Sequence, residues 1–201
     1  MSLMTEHSEP AGPFVDAQRF RKSFRGVAGC VAVILAEDGA GGVRGITCTS
    51  AVSLSVNPPL VVMCLDDKTR MRELISASGR FSTNYIAGDY GWMARAFSER
   101  NKSLDHVAHA VILGRTRVPT FAYGTTSVLE CEVESIYPGG DHWILVGVVR
   151  HARFQADAPS LLYRAGTYGS FAAEMDGAHR LRTAGSTPEL EPTPAIPRGE
   201  R

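Results

Sequence analysis

Short apolar runs bounded by glycine or proline predict buried β-strands in the middle of the chain. The two clearest are "VAGCVAVILA" at 27–36 and "PPLVVMCL" at 58–65. Both runs are rich in β-branched residues, which favour extended backbone, and both are short enough for single strands. We therefore expect each of them to form a core strand.

The alternation of apolar and acidic residues in "VLECEVES" (128–135) predicts a half-exposed strand. Its inward positions are Leu129, Cys131 and Val133, and its solvent-facing positions are Glu130, Glu132 and Glu134. The turn residues "PGGD" (138–141) and a longer apolar run, "HWILVGVVRHARF" (142–154), come next. This order predicts a β-hairpin.

Two segments have the apolar spacing of helices. In "TRMRELISASG" Thr69 is the predicted cap and Gly79 the predicted end, and in "DYGWMARAFSER" the predicted cap is Asp89. The positions expected to share a helix face are Met71, Leu74, Ile75 and Ser78 in the first segment, and Trp92, Met93, Ala96 and Phe97 in the second. Because regular strand–helix alternation is missing, we predict a mainly β fold, an antiparallel barrel or sandwich with a few inserted helices.

Length and composition describe one globular domain without a charge-driven partner. The 201 residues are enough for one well-cored domain, and 21 basic residues balance 21 acidic ones, so neither nucleic acid nor a membrane is an expected partner. Prolines concentrate at the two ends, so we predict flexible tails at 1–13 and 176–201 around a domain at 14–175. The four cysteines form no C-x-x-C pair, and we interpret them as reduced core thiols of a cytoplasmic protein.

Three short segments carry side chains suited to ligand binding. In "GITCTSA" (45–51) nearly all side chains are small, so the backbone and hydroxyls can approach a flat ligand with a polar edge; a strand edge facing water explains the pattern equally well. In "DDKTRMRE" (66–73) a basic loop opens a helix, which suits a phosphate or is an ordinary capped helix with solvated charges. In "GGDH" (139–142) the histidine overhangs a pocket or lies on the surface.

Six strings taken together resemble the short-chain flavin reductases, over about residues 17 to 170 and in that family's order. They are "FRKSFRGVAGCVAVILAEDG", "GITCTSAVSLSVNPPLVVMCL", "SGRFSTNYIA", "MARAF", "LECEVESIYPGGDHWILVGVV" and "LLYRAGTY". The resemblance implies an antiparallel split β-barrel with Greek-key-like connections. It also implies an NAD(P)H-dependent flavin reductase, of the kind that often serves as the reductase component of two-component flavin-dependent monooxygenases.

Carried over position by position, the resemblance implies two sets of binding residues. The flavin set is Thr47, Cys48, Thr49, Ser50, Leu65, Asp66, Lys68, Thr69, Arg70, Ala96 and Phe97. The nicotinamide set is Asp141, His142 and Tyr168. No residue is expected to act as acid, base or nucleophile, and no metal site is expected. Asp66 and Asp67 make the loop before the helix more acidic than a phosphate needs, and residues 107–126 match only loosely.

The resemblance further implies the ligands and partners of the reaction. Hydride passes from NADH or NADPH to FMN or FAD, and the reduced flavin then reaches a partner monooxygenase by diffusion or transient contact. A homodimer that builds the flavin cleft at its interface is also implied. Two alternatives stay open: a non-catalytic split-barrel protein that stores or senses flavin or haem, and an oxidase with tightly held FMN.

Overall fold

β-Strands are the main secondary structure of the residues that the structure describes. The computed structural model describes residues 14–99, 104–155 and 158–170, so the two predicted tails, 1–13 and 176–201, lie outside the described residues. The strands are Gly29–Cys30 (β1), Ala32–Glu37 (β2), Val43–Cys48 (β3), Val52–Ser55 (β4), Leu60–Asp66 (β5), Arg80–Ile86 (β6), Val111–Leu113 (β7), Pro119–Phe121 (β8), Thr125–Gly139 (β9), His142–Phe154 (β10), Leu161–Arg164 (β11) and Thr167–Ser170 (β12). The predicted hairpin and the core strand at 58–65 are present, but 27–36 forms two strands, β1 and β2, which belong to different sheets.

Among the described residues there are four α-helices, where the sequence predicted two. They are Ala17–Arg25 (α1), Met71–Ser78 (α2), Gly91–Ser98 (α3) and Asp105–Ala108 (α4). The sequence analysis did not predict α1, although Phe20 and Phe24 have helical spacing; the helix buries none of its residues in the isolated chain. Instead α1 depends on a local signal, since the Asp16 side chain accepts hydrogen bonds from the backbone N–H groups of Gln18 and Arg19 at its start.

The main sheet has seven antiparallel strands in the order β3-β2-β6-β9-β10-β5-β4. Its two edge strands, β3 and β4, are consecutive in the chain and are joined by residues 49–51 alone. So short a link forces the sheet to curl until its edges meet, which makes it a barrel. The Ser50 hydroxyl fastens this closure, because it donates to the carbonyl of Cys64 at 3.0 Å and accepts from its N–H at 3.1 Å. The predicted mainly β, antiparallel fold is confirmed.

Two apolar clusters fill the space inside and outside the curled sheet. One packs α2 against the barrel interior through Ile75 and Phe81, and the other packs α3 on the opposite face of β2 through Met93 and Phe97. Successive residues of β2 point to opposite faces of the sheet, so this strand is buried on both sides. The arrangement explains why "VAVILA" is apolar without alternation.

The prediction that Glu130 faces solvent is wrong. Its side chain is 2% exposed, because the hairpin of β7 and β8 covers this part of β9. The carboxylate accepts hydrogen bonds from the backbone N–H of Arg115 at 2.9 Å and from the hydroxyl of Thr116 at 2.7 Å. Burial raises the pKa of Glu130, but these bonds and the nearby His151 outweigh burial and leave the pKa below its ordinary value.

The sequence predicted the end of α2 correctly but not the cap residues at the starts of α2 and α3. Gly79 ends α2 in the left-handed conformation (φ 68°), as predicted. Thr69 accepts a hydrogen bond from the N–H of Met71 at 3.2 Å, although Arg70 is the cap residue. Asp89 does not cap α3, because a turn of 3-10 helix at Gly88–Tyr90 precedes that helix. Trp92 is 39% exposed and does not share the buried face of α3, which carries Ala94 instead.

The interpretation of the cysteines as core thiols holds for only part of the set. Cys131 is buried and Cys48 is partly buried, whereas Cys30 and Cys64 are exposed in the isolated chain. In the described part of the chain, no helix combines the length and apolarity needed to cross a bilayer. The described residues all belong to one unit of the chain, Met1–Phe171.

Candidate functional site

A cleft of about 1080 Å³ opens between β3, the loop after β5 and helix α3. The residues of the predicted flavin set that line it are Thr47, Cys48, Thr49, Asp66, Lys68, Thr69, Arg70, Ala96 and Phe97. These residues come from three separate segments of the sequence, and the curling of the sheet brings them together. Their role in binding flavin stays a prediction, but their convergence on one cleft is a structural fact.

One side of the cleft is formed by residues 45–49, which we call the small-residue wall. Gly45 is small for a steric reason: a Cβ atom there would lie 2.6 Å from Leu35 Cδ2 and 2.6 Å from Phe97 Cδ1. Phe97 can therefore pack directly against the β3 backbone, and α3 approaches the sheet closely. The absence of long side chains in this wall thus reflects packing as well as access for a ligand.

The polar groups of the wall are partly used by the protein itself. The Thr47 hydroxyl donates to the backbone carbonyl of Ala94 at 2.6 Å, which joins β3 to α3 and leaves the hydroxyl oxygen able to accept. Burial raises the pKa of the Cys48 thiol, so the thiol stays protonated and a poor nucleophile at neutral pH. This agrees with Cys48 as a small lining residue and not a redox group.

Two members of the predicted flavin set do not line the cleft. Both hydrogen-bonding directions of the Ser50 hydroxyl are taken by Cys64, and this residue lies at the barrel closure. The Leu65 side chain is 1% exposed and packs in the core. For Leu65, only backbone atoms remain to face a ligand.

The opposite side of the cleft is formed by residues 66–70, which we call the charged loop. Asp66 shapes it, because its carboxylate accepts from the N–H of Lys68 at 2.8 Å and its carbonyl accepts from the N–H of Thr69 at 3.0 Å. The loop leads into the N-terminus of α2, where the Arg70 side chain makes no capping bond. Two cationic side chains at a helix N-terminus suit a phosphate group.

The predicted nicotinamide residues Asp141 and His142 lie beside this cleft and not in its lining. They belong to the glycine turn, residues 139–142, between β9 and β10. Asp141 Oδ1 lies 2.7 Å from His142 Nδ1. The hydrogen bond and charge of His142, with a smaller contribution from Lys68, hold the pKa of Asp141 below its ordinary value. The glycine turn and the charged loop are therefore electrostatic neighbours.

The third nicotinamide residue, Tyr168, does line the cleft, together with residues that the sequence analysis missed. The Arg95 guanidinium lies over the Tyr168 ring, 5.2 Å from its centroid, and burial raises the pKa of the Tyr168 phenol. Arg44, in β3, also lines the cleft, and its Nε lies 3.8 Å from Asp38 Oδ2. Arg95 stands inside the quoted string "MARAF", between two alanines, so only the helical register could have shown that it faces the cleft.

The lining fits a planar ligand that carries phosphate. The cleft has a wall without long side chains and four cationic side chains, Arg44, Lys68, Arg70 and Arg95, against the acidic Asp66 and Glu99. Such a donor set favours an anionic group over a neutral one. Among the described residues, no three histidine, cysteine or acidic side chains are grouped as metal ligands.

Comparison with known proteins matches most of the chain to flavin reductases, the family that the sequence resembles. The flavin reductase like domain matches residues 24–172. An NADH-dependent flavin reductase of Pseudomonas fluorescens is 31% identical over 156 residues, which are 77% of this chain and 89% of that protein. The reductase component of the Thermus thermophilus 4-hydroxyphenylacetate 3-monooxygenase is 30% identical over 120 residues, 60% of this chain and 74% of that protein.

Solved structures agree with the sequence comparison. The NADH:FAD oxidoreductase of Streptomyces globisporus, determined with NAD and FAD fragments, superposes with a TM-score of 0.72 at 28% identity. The alignment covers 82% of this chain and all of that one. Because the matched region contains the barrel, the small-residue wall, the charged loop and the glycine turn, this chain belongs to the flavin reductase family.

Proposed function

We propose that this protein is an NAD(P)H:flavin oxidoreductase that reduces FMN or FAD for a partner flavin-dependent monooxygenase. The observation that carries the proposal is the convergence of the small-residue wall, the charged loop and the Ala96–Phe97 face of α3 on one cleft. Reductases of this family supply the same chemistry. The proposal includes a cytoplasmic location, where reduced nicotinamide is generated.

The chain's own residues bind and orient the two ligands. When bound, the flavin supplies the hydride acceptor and the nicotinamide supplies the hydride. Lys68, Arg70 and the α2 N-terminus hold the flavin phosphate, while Thr49 and the backbone of the small-residue wall contact the ring. His142 and Asp141 hold the nicotinamide from the side of the glycine turn. No side chain is needed as acid, base or nucleophile.

The proposal also includes a homodimer, supported by a large exposed apolar surface. A groove of about 1090 Å³ lies between α1 and the β3–β4 link, and Thr49, Tyr163 and Gly166 line both this groove and the cleft. The exposed apolar side chains near it are Phe20, Phe24, Val27, Val52, Leu54 and Val56. Patches of this kind on soluble proteins mark interfaces. A second copy seated there would complete one side of the cleft.

Light scattering on a sizing column tests the dimer. We expect the wild-type protein to elute with twice the mass of one chain, and the Leu54→Glu/Val56→Glu variant, with two charges in this apolar surface, to elute as a monomer. A wild-type protein that stays monomeric at micromolar concentration would disprove this part of the proposal.

Steady-state oxidation of reduced nicotinamide tests the activity. The purified protein is mixed with NADH or NADPH and with catalytic amounts of FMN or FAD, and the nicotinamide absorbance is followed. We expect many turnovers per chain with at least one of the four pairs. Stoichiometric binding without turnover would favour the alternative, a non-catalytic flavin or haem store or sensor.

A further inference from the structure

We propose that Asp67 and Trp143 form a clamp that fixes the charged loop against the glycine turn, and that Trp143 is thereby a positioning residue for both ligands. The inference rests on the proposed function, since it assigns the loop to flavin phosphate and the turn to nicotinamide. Neither residue belongs to the sets implied by the family resemblance.

The clamp is a side-chain bond at the point where two strands end. Trp143 Nε1–H donates to Asp67 Oδ1 at 2.6 Å, a short bond in which the acceptor carries the charge. The Asp67 N–H also donates to the carbonyl of Asp141 at 3.1 Å, so the β5–β10 ladder continues one step past the pairing of Asp66 with His142. One residue of the loop is therefore held by both its backbone and its side chain.

The indole ring is fixed on its face as well as at its edge. The Arg72 guanidinium lies 4.6 Å from the centroid of the Trp143 ring. This cation–π contact joins the first turn of α2 to β10. Two contacts in different directions leave the ring little freedom, so its N–H stays aimed at Asp67.

The clamp joins the two elements that must act together. The loop places Lys68, Thr69 and Arg70 in the cleft, directly after Asp67. The turn places Asp141 and His142 directly before Trp143. Hydride transfer requires both ligands at a fixed separation, and small displacements are costly in rate. A bond between the two elements sets that separation.

The clamp also explains why a phosphate-binding loop carries two acidic residues. The Asp66 carboxylate accepts from the N–H of Lys68, and the Asp67 carboxylate accepts from Trp143. Each negative charge is thus engaged by an N–H donor within the protein. Lys68 and Arg70 line the cleft together with Asp66, whose carboxylate is already engaged within the loop.

The test compares Trp143→Phe with the matched control Trp92→Phe, since these are the only two tryptophans of the chain. Trp143→Phe is expected to raise the KM for flavin and the KM for nicotinamide together, each about threefold to tenfold, the fold-change that corresponds to the net contribution of a typical hydrogen bond. We expect kcat to change less than about twofold, since no reacting group is removed. Trp92→Phe is expected to leave both KM values unchanged.

Variants of Asp67 separate the hydrogen bond from the charge. Asp67→Ala should match Trp143→Phe, and the double variant should be no worse than either single one, because all three remove the same bond. Asp67→Asn keeps an acceptor oxygen and should stay within about twofold of the wild type. KM values for Trp143→Phe no higher than those of Trp92→Phe, or a rise for one ligand only, would overturn the clamp.

Amide hydrogen exchange without ligands gives a readout independent of activity. Trp143→Phe should speed exchange in the charged loop and in the glycine turn together, whereas Trp92→Phe should change neither. If the wild-type protein shows no turnover but this joint change occurs, the proposed function fails and the clamp stands. If turnover is normal and exchange changes in neither element, the clamp fails and the function stands.

Discussion

The two sides of the cleft are built on different physical principles. The small-residue wall is part of the β3 strand and the barrel closure, where Gly45 is fixed by contact with Phe97 and Thr47 by its bond to Ala94. The charged loop is exposed and depends on individual hydrogen bonds such as those of Asp66 and Asp67. The wall is therefore a rigid surface set by the core, and the loop is an electrostatic surface set by a few local bonds.

This difference predicts separate consequences for mutation. A change in the wall should cost stability and ligand binding together, because the same atoms serve both. A change in the loop should affect binding of the charged part of the ligand and leave the fold almost unchanged. The following variants test the distinction, in order of decreasing expected effect.

Glu130 serves as a reference outside both regions. Glu130→Ala removes a buried carboxylate with several hydrogen bonds, so we expect a loss of about 2–4 kcal/mol in the free energy of unfolding, with no change in the Kd for FMN. Urea denaturation and FMN titration measure the two quantities. A large change in Kd would mean that stability and binding are not separable in this molecule.

The pH dependence of the same residue follows from its lowered pKa. The stabilising contribution is fully present above the ordinary glutamate pKa of 4.5 and is lost as the pH falls through the lower folded-state value. We therefore expect the melting temperature of the wild type to fall more steeply below pH 4.5 than that of Glu130→Gln. Equal slopes would contradict the buried, charged state of this carboxylate.

Gly45→Ala tests the wall directly. The added Cβ would overlap Leu35 and Phe97, so we expect a loss of about 1–3 kcal/mol in stability and a weaker affinity for FMN and riboflavin alike. Gly169→Ala is the control, because a Cβ there meets no atom within 4 Å. Normal riboflavin binding by a destabilised Gly45→Ala would show that the wall does not contact the ring.

Lys68→Ala and Arg70→Ala test the charged loop. Each should raise the Kd for FMN about tenfold, the worth of one charged contact to phosphate, and leave the Kd for riboflavin unchanged. Added salt should weaken FMN binding to the wild type more than to the Lys68→Ala/Arg70→Ala double variant, because salt screens the charges of this exposed loop. Equal losses for FMN and riboflavin would place the phosphate elsewhere.

Thr47→Val should give the smallest effect. It removes the bond to the Ala94 carbonyl at nearly constant volume, so we expect the free energy of unfolding to fall by about 1 kcal/mol, with Thr47→Ser close to the wild type. FMN and riboflavin should lose affinity equally, by about threefold. A loss of affinity for FMN but not for riboflavin would make Thr47 a phosphate ligand, and the wall and the loop would then not have separate roles.

Much of the fold was readable from local patterns. The core strands, the β9–β10 hairpin and the end of α2 at Gly79 follow from apolar runs, turn residues and the left-handed glycine. Errors came where a distant element covers a surface, as the β7–β8 hairpin covers Glu130. They also came where an element has no buried face, as in α1. The covering of Glu130 leaves no signal in its own segment, whereas α1 does show helical spacing in Phe20 and Phe24, which stay exposed in the isolated chain.

The site likewise contains residues that the sequence pointed to and residues that it did not. The sequence identified segments with small, cationic or turn residues, and by resemblance it assigned them to flavin and nicotinamide. It had no means of finding Arg44 or Arg95, whose neighbours give no indication of the cleft. It also placed Ser50 and Leu65 among the ligand contacts, although one closes the barrel and the other lies in the core.

By itself, then, the sequence predicted most of the types of element, because these depend on residues close together in the chain, while the ligands followed only from its resemblance to the flavin reductases. Only the tertiary structure decided which residues share the cleft, that Asp67 meets Trp143 and that Glu130 is buried. These facts depend on the curling of one sheet until strands far apart in sequence become neighbours. No local pattern encodes that closure.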